Sequence, residues 1–298
     1  MKPMRKFFPQ LATLCLSAIT YTGLAHAEDD CKHVSEECVE SGKWTFGITV
    51  GAGIRTNPLL IGNNIPLVLV PQLNYYGKHF FIDNLDFGIT LHDSATNTFN
   101  LLASPGYDRV FFYRYDLQNL FIVSHTTTGG SSTGGEFFVI GGNGGYPISG
   151  TSGYSVTAYP DRPREITYLA GPEWTFQFGK LTGQVDLLHE VTGYHDGNEI
   201  RSAIKYPLIT GQRSLMLSLG VTWKSAAIVN YYYGDKGIYE SGASLNPFVK
   251  LAYSQPLNKH WRLLAFLHYE KLGNAIAHSP IVSKNHVDTG FVGASYAF

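Results

Sequence analysis

Apolar and polar residues alternate with a period of two along most of this chain. In the first such segment, from Trp44 to Ile54, one set of alternate positions is apolar and the other is small or polar. The apolar set is Trp44, Phe46, Ile48, Val50 and Ile54, and the opposite set is Thr45, Gly47, Thr49, Gly51 and Gly53. Because successive side chains of a β-strand point to opposite faces, this pattern predicts a strand with one apolar face.

The same alternation recurs in Leu215–Trp223 and in Arg262–Glu270, where Leu264 and Phe266 are exceptions on the polar face. Large aromatic residues stand at the ends of such segments, namely Trp44, Tyr75, Trp174, Trp223, Tyr253 and Trp261. A soluble sandwich needs a polar outer face, whereas an apolar band bordered by aromatic residues is typical of a barrel that crosses a membrane. The sequence therefore predicts an all-β fold, a transmembrane antiparallel β-barrel of the bacterial outer membrane over residues 43–298.

The connections between these segments predict about twelve strands. Both ends of a bacterial barrel lie in the periplasm, so short periplasmic turns alternate with external loops. The predicted periplasmic turns are Tyr76–His79, Tyr115–Asn119, Phe178–Lys180, Pro207–Gln212 and Gln255–His260. The predicted external loops are Arg55–Asn63, His92–Thr96, Thr126–Arg164, Thr192–Asn198, Gly234–Ser244 and Leu272–Asn285. Five strands then precede the long loop and seven follow it, and Glu136–Ile140 is either a hairpin arm within that loop or an additional strand.

The beginning of the chain has the pattern of a secretory signal. Three basic residues within Lys2–Lys6 precede the short apolar run Leu11–Ile19, and Ala25–Ala27 is a small-x-small cleavage site. The apolar run is too short for a membrane-spanning helix. We therefore expect residues 1–27 to be removed and the mature protein to start at Glu28 in an oxidising compartment.

The last strand ends on aromatic residues. Gly293, Tyr296 and the final residue Phe298 resemble the terminal strand of outer-membrane barrels, which the β-barrel assembly machinery reads as its signal. The two rings share one strand face and are expected at the boundary between water and the outer-membrane lipids. The two ends of the chain together favour export followed by insertion into the outer membrane.

Composition excludes some functions. Charged residues make up 15% of the chain and aromatic residues 14%, and the charged share is below the roughly 25% of soluble proteins. Three of the 22 Lys and Arg residues lie in the predicted signal, which leaves 19 against 23 Asp and Glu. No basic surplus remains to bind nucleic acid. No cofactor or metal is expected.

Two cysteines follow the predicted signal. Cys31 and Cys38 lie in the segment 28–42, which we expect to be periplasmic. Their spacing is not the CxxC of an oxidoreductase, and His33 beside them is weak evidence for a metal. In an oxidising compartment a disulfide between them is favoured.

Two His-acid pairs, His189–Glu190 and His195–Asp196, are the candidates for catalysis. Neither has the spacing of a helical zinc site, and a hydrolase also needs a positioned nucleophile. Ser279 precedes Pro280 and is better explained as a turn residue. We therefore interpret the two pairs as part of an external loop and keep a surface hydrolase as the alternative.

A set of charged residues occupies positions that should face the barrel lumen. They are Glu173, Asp186, Glu190, Arg201, Lys205, Lys250, Arg262 and Glu270. An ion-selective pore favours one sign of charge at its constriction. Both signs occur here, so we expect these groups to pair within a narrow interior. The alternative is that several of them face loops or water near the rims.

Several motifs resemble the MipA/OmpV family, the MltA-interacting outer-membrane proteins. They are Asn57–Leu59, Val70–Phe81, Ser104–Arg109, Tyr231–Gly234, His260–Trp261 and Leu272–Val282, of which Ala277–Val282 is the most specific. The resemblance runs from about Trp44 to Phe298, whereas the cysteine-bearing segment and the Gly-rich loop Thr128–Pro163 depart from it. It implies an outer-membrane barrel and, for some members, a scaffold that links a lytic transglycosylase to a penicillin-binding murein synthase.

Three hypotheses for function follow. The first is a non-enzymatic scaffold or adaptor for periplasmic enzymes of murein (peptidoglycan) synthesis and hydrolysis, which the family resemblance favours. The second is a passive channel for small solutes, which the barrel class alone favours. The third is a surface hydrolase of lipid or peptide, which would depend on the cluster from His189 to Asp196.

Overall fold

The computed structural model describes residues 42–113, 163–235 and 237–298, and its strands form a closed antiparallel barrel in which β1 pairs with β12. The strands are β1 (Trp44–Arg55), β2 (Ile65–Tyr76), β3 (Phe80–Asp83), β4 (Asp86–Asp93), β5 (Asn97–Pro105), β6 (Tyr168–Phe178), β7 (Leu181–Glu190), β8 (Asn198–Ile209), β9 (Ser214–Lys224), β10 (Ser244–Pro256), β11 (Trp261–Lys271) and β12 (His286–Ala297). Two helices, α1 (Ala226–Tyr233) and α2 (Asn274–Ala277), and the 3₁₀ helix Tyr107–Phe111 lie in connections. The predicted barrel and its twelve strands are confirmed.

The two ends of the barrel differ in the length of their connections. One end carries the turns at residues 77–79, 94–96, 179–180, 210–213 and 257–260, together with the start of β1 and the end of β12. The other end carries the long connections and every helix of the described ranges. Because short turns are periplasmic in bacterial barrels, we call the first end the periplasmic rim and the second the external end. Within those ranges, no helix has both the length and the apolar composition needed to cross a bilayer.

Strand β1 shows how the alternating sequence forms the wall. Phe46 and Val50 are each 51% exposed on the outside of the barrel, whereas Thr49 between them is fully buried. A β-bulge between Val50 and Gly53 shifts the register against β2. At the periplasmic rim, the ring of Tyr75 lies 5.0 Å from that of Trp44 and 5.3 Å from that of Phe80. The outer apolar band with aromatic residues at its edge matches the requirements of a lipid-facing wall.

One expected strand is two strands in the structure. The segment from Phe80 to Asp93 contains a turn at Asn84–Leu85, where Asn84 adopts a φ of 60°. This turn reverses the chain, so residues 94–96 lie at the periplasmic rim. The prediction of an external loop at His92–Thr96 is therefore wrong. Because β3 has only four residues, the wall of the barrel is shortest at this hairpin.

The fifth and sixth strands pair directly with each other. The β5–β6 ladder runs from Asn97 opposite Phe176 to Pro105 opposite Tyr168, so the wall is continuous there without residues 114–162. The predictions for Tyr115–Asn119, for Glu136–Ile140 and for most of the loop Thr126–Arg164 lie outside the described residues. The same holds for the signal at 1–27 and for Cys31 and Cys38.

The hydrophobic core lies inside the barrel, towards its external end. It joins inward side chains of the wall to side chains of the external connections. The wall contributes Ile65, Leu67, Phe81, Leu102, Leu169, Leu188, Phe266, Val287 and Phe291, and the connections contribute Leu59, Val110, Phe111, Ile228, Val229, Tyr232, Tyr233, Leu272, Ile276 and Ile281. We call the contributing connections, residues 56–64, 106–113, 225–235 and 272–285, the external plug.

Candidate functional site

A buried cluster of charged and hydroxyl groups fixes the external plug. Lys224 Nζ at the top of β9 lies 2.5 Å from Asp108 Oδ2 of the 3₁₀ helix. The hydroxyl of Tyr233 in α1 donates to the other oxygen, Asp108 Oδ1, at 2.7 Å. Burial raises the pKa of Tyr233 well above its usual value, so its hydroxyl keeps the proton that it donates. The carboxylate of Asp108 therefore joins the 3₁₀ helix both to the wall and to α1.

Other hydrogen bonds hold the remaining segments of the plug. Asn57 Nδ2 donates to the carbonyl oxygen of Phe111 at 2.8 Å, and Ser279 Oγ donates to that of Tyr233 at 2.6 Å. The guanidinium of Arg164 donates twice to the carbonyl oxygen of Tyr232, at 3.0 Å from Nε and from Nη2. Each bond satisfies a buried carbonyl group with a donor from another segment of the chain. The plug is thus a packed structure with defined contacts across the external end of the lumen.

Glu173, Asp186 and Arg201 form a polar network on the inner wall below the plug. Asn100 Nδ2 donates to Glu173 Oε1 at 2.6 Å. Gln184 Nε2 lies 2.9 Å from both Glu173 Oε2 and Asp186 Oδ1. Arg201 forms an ion pair with Glu199, in which Arg201 Nε lies 2.6 Å from Glu199 Oε1. Its Nη1 also donates past β6 and β7 to Ser104 Oγ of β5 at 2.8 Å.

The other predicted lumen charges are spread over β8, β10 and β11. Lys250 is buried, with its ammonium 5.3 Å from the ring centre of Phe266. Arg262 Nη1 donates to Ser254 Oγ at 3.1 Å, and Asn246 Nδ2 donates to Glu270 Oε1 at 3.1 Å. Lys205 is half-buried and stands opposite Thr182 of β7 and Ser218 of β9.

Sequence reasoning missed several charged residues of this interior, among them Asp108, Glu199 and Lys224. Glu199 lies two positions before Arg201 on β8, so the alternation of that strand carried the signal for it. Lys224 ends β9 on the inward phase and could have been found in the same way. Asp108 lies in a 3₁₀ helix outside any strand, where a period of two gives no information about direction.

The candidate catalytic cluster separates into three parts. Glu190 accepts hydrogen bonds from the backbone amides of Thr192, Tyr194, His195 and Asp196 and from the Thr192 hydroxyl, so it organises the loop 191–197. His189 Nε2 lies 3.2 Å from Asp196 Oδ1 on the exposed surface. His195 turns the other way and packs its ring 5.2 Å from that of Tyr231. In the part of the chain that the structure describes, neither imidazole bonds to a hydroxyl or thiol nucleophile.

The described residues contain no candidate metal site. No group of three or more His, Cys, Asp or Glu side chains comes together there with the geometry of a metal site. Ser279, whose hydroxyl is committed to the carbonyl oxygen of Tyr233, has a structural contact in the plug.

The predicted assembly signal lies on β12 beside β1 and β11. Gly293 is buried, and a Cβ at this position would come within 2.8 Å of the Val50 carbonyl oxygen, so a glycine allows the close approach. The ring of Tyr296 lies edge-on to that of Trp261 at 5.1 Å. Phe298 is 81% exposed and donates its amide to the carbonyl oxygen of Phe46 at 3.0 Å. Phe298 therefore makes few contacts within the folded barrel.

The periplasmic rim is built from short and exposed turns. Large apolar side chains protrude from it, among them Phe178 at 82% and Leu257 at 55% exposure. The turn 257–260 is held by Asn258 Oδ1, which accepts from the amides of His260 and Trp261. This end has no counterpart of the plug among the described residues, so its turns are accessible from the periplasm.

Comparison with known proteins identifies the family. The profile of the family described as MltA-interacting protein MipA matches residues 48–298. The outer membrane protein OmpV of Vibrio cholerae serotype O1 is 33% identical over 125 residues, which cover 39% of this chain and 46% of OmpV. The MltA-interacting protein of Escherichia coli strain K12 is 22% identical over 302 residues, which cover 97% of this chain and 98% of that protein.

A solved structure of OmpT lacking loop L8, an outer membrane protein of Vibrio cholerae, covers 87% of this chain and 100% of its own length, with 9% identity and a TM-score of 0.35. The family match, by contrast, extends from β1 to the last residue. The expected family resemblance and the outer-membrane location are both confirmed. The chain belongs to the MltA-interacting protein MipA family of outer-membrane β-barrels.

Proposed function

We propose that this protein is a non-enzymatic outer-membrane scaffold, which holds periplasmic enzymes of murein synthesis and hydrolysis close to the membrane. The family name and the MltA-interacting relative support contact with a lytic transglycosylase. The observation that carries the proposal is the contrast between a packed external plug and an accessible periplasmic rim. A barrel with this arrangement offers its free surface to periplasmic proteins.

The docking surface in this proposal consists of the periplasmic turns. The turns are residues 77–79, 94–96, 210–213 and 257–260. Because each turn is short, a partner buries little area on any one of them. Stable protein interfaces bury about 1,200–2,000 Å² in total, so we expect weak binding that engages several turns at once.

The contacts of the candidate catalytic residues support a function without catalysis. The carboxylate of Glu190 already accepts several hydrogen bonds from its own loop. Among the described residues, no nucleophile of the kind that a hydrolase requires adjoins the His189–Asp196 pair. The family is one of outer-membrane barrels.

A crosslinking pull-down from cell envelopes tests this function. The mature protein is crosslinked in place and recovered, and the captured proteins are identified by mass spectrometry. We expect a lytic transglycosylase, a penicillin-binding murein synthase, or both. Recovery of neither enzyme, or hydrolysis of lipid or peptide by the purified protein, would overturn the proposal.

The alternative function is a passive channel for small solutes. Polar side chains on the inner wall favour it, since Thr98, Thr175 and Ser218 are buried facing the lumen. The external plug opposes it, because a conducting path must pass between its packed segments. Conductance in a planar lipid bilayer separates the two functions: the scaffold predicts a closed barrel, and steady open-channel currents would favour the channel.

A further inference from the structure

Basic and hydroxyl side chains form one continuous row across six neighbouring strands of the barrel. The strand register places Arg55 of β1 opposite Thr289 of β12, and Thr289 opposite His268 of β11. His268 in turn lies opposite Lys250 of β10. The row continues on β9 and β8 with Ser218 and Lys205. We call these six residues the basic row. Each of them can donate a hydrogen bond, and none is acidic.

The basic row faces the lumen. Arg55, Lys250 and Thr289 are buried, whereas Val249 and Leu267, which alternate with the row on β10 and β11, are exposed on the outer face. Alternate residues of a strand point to opposite faces of the sheet, so the side chains of the row point inwards. The charges of Arg55 and Lys250 both act on His268. The two cations therefore approach the same part of the inner wall from neighbouring strands.

The guanidinium of Arg55 has no bonded partner. Its side chain is 9% exposed, and its face lies over the ring of Phe111, with Cζ 4.8 Å from the ring centre. Among the described residues, none of its three nitrogens forms a hydrogen bond or an ion pair, and only Nε is enclosed. Buried donors are nearly always bonded in folded proteins. Because Phe111 covers the face of the guanidinium, its Nη edge is the part that can reach a ligand in the lumen.

The charges near Arg55 leave a place for an anion. Glu270 and Asp108 lie close enough to attract Arg55, but within the described ranges neither is bonded to it. Asp108 is already paired with Lys224. Glu270 supplies one negative charge beside the three Lys and Arg charges of the basic row. Like charges on neighbouring strands repel each other, so an anion bound between them is favoured.

We propose that the basic row binds a small anion through an oxyanion group, a phosphate or a carboxylate, which the Nη edge of Arg55 holds and the ammonium of Lys250 attracts. A guanidinium matches the two oxygens of either group, whereas an ammonium acts as a point charge. Thr289, beside Arg55 in the row, adds a hydroxyl donor. The packed plug covers the external end of the lumen, so the ligand arrives from the periplasm. The site lies on the inner wall and is independent of the scaffold function of the turns.

Equilibrium dialysis of radiolabelled inorganic phosphate and, separately, of radiolabelled succinate tests this site. The purified mature protein is kept in a maltoside detergent at low ionic strength, because maltosides carry no charge and salt screens electrostatic binding. We expect saturable binding of at least one of the two probes. Binding of phosphate alone, of succinate alone or of both identifies the oxyanion group that the site accepts. Absence of saturable binding of either probe would overturn the proposal.

Substitutions in the row separate charge from geometry. Arg55→Gln should weaken the bound probe about tenfold or more, and Arg55→Lys, which keeps the charge but loses the planar fork, about threefold. Lys250→Gln removes a point charge and should weaken it about fivefold. Lys271→Gln, an exposed change at the end of β11, is the matched control and should bind as wild type does. Heat-modifiable migration of each variant shows that the barrel is folded.

The variants also define the results that contradict the site. Equal binding by wild type and the Arg55→Gln/Lys250→Gln double variant would overturn the proposal, and so would an equal loss of binding in Lys271→Gln. If the Arg55 variants fail to fold, Lys250→Gln decides alone, and binding equal to wild type overturns the proposal. Capture of murein enzymes by Lys250→Gln should be unchanged, so a failure of the anion site is distinguishable from a failure of the scaffold function.

Discussion

The external end and the periplasmic rim of this barrel differ in the burial and the contacts of their side chains. At the external end, charged groups are buried and held by specific partners, as in the contacts of Asp108 with Lys224 and Tyr233. At the periplasmic rim, the connections are short turns with exposed side chains such as Phe178 and Leu257. Removal of one partner from a buried ion pair is strongly destabilising, whereas exposed positions tolerate change. The external end therefore contributes to closure and stability, and the rim is free to contact other proteins.

The largest effect is expected from a change at the rim that acts on assembly. Deletion of Phe298 removes the aromatic end that the insertion machinery is predicted to read, but few contacts of the folded barrel. We expect most of the chain to remain as unfolded precursor, which is measured as loss of the heat-modifiable band from outer-membrane fractions. The fraction that does insert should unfold at the same denaturant concentration as wild type. Normal insertion of the truncated chain would contradict this role.

The second-largest effect is expected when a lysine is replaced by methionine at the external end and, for comparison, at the periplasmic rim. Lys224→Met removes the cation from the buried pair with Asp108, and we expect a loss of about 3–5 kcal/mol in the free energy of unfolding. Lys180→Met, in the exposed turn after β6, is the matched control and should leave stability nearly unchanged. Urea unfolding in lipid vesicles measures both variants. Equal stability of the two would show that the plug does not contribute as described.

A smaller effect is expected from a single hydroxyl of the plug. Ser279→Ala leaves the buried carbonyl oxygen of Tyr233 without the donor that now lies 2.6 Å away, at a cost of about 1–3 kcal/mol. Ser283→Ala is the control, because its hydroxyl makes a longer bond of 3.2 Å at an exposed position. Hydrogen exchange of the α1 amides should accelerate in the first variant only. Acceleration in both would mean that the whole connection 272–285 loosens.

The smallest effect on folding is expected at the rim itself. Leu257→Ser changes an exposed residue of the turn after β10, so the free energy of unfolding should stay within about 0.5 kcal/mol of wild type. The same change should reduce capture of a murein enzyme in the crosslinking pull-down. A large loss of stability would mean that this turn has a structural role that its exposure does not indicate.

Much of the wall could be predicted from the sequence, because alternation and turn length report directly on strands. The expected count of about twelve was correct, although one expected strand is two strands in the structure, β3 and β4. Asp83–Asn84–Leu85–Asp86 has the composition of a turn, but the apolar residues on both sides continued the alternation and masked it. The strand expected between Asn119 and Thr126 lies outside the described residues, so it stays a prediction.

The interior was harder to predict than the wall. A period of two places Glu173 and Arg201 on the inner phase, yet it cannot show which partner each one reaches. Arg201, for example, reaches Ser104, which lies 97 positions earlier in the chain. The plug depends on Asp108 and Tyr233, which lie in helical connections. Strand alternation does not show in which direction side chains point in such connections. Contacts between distant segments of this kind follow from the closed fold and not from local pattern.

The central claim is that partners bind at the periplasmic rim and not at the external end. Two variants test it. One replaces the turns at residues 77–79, 94–96, 210–213 and 257–260 with Gly-Ser sequences, and the other replaces the exposed part of the loop at 191–197 in the same way. Binding of each folded barrel to a purified MltA-type lytic transglycosylase is measured by biolayer interferometry. The account predicts that the rim variant loses binding and the external variant keeps it. Retained binding by the rim variant, or loss only in the external variant, would contradict the account.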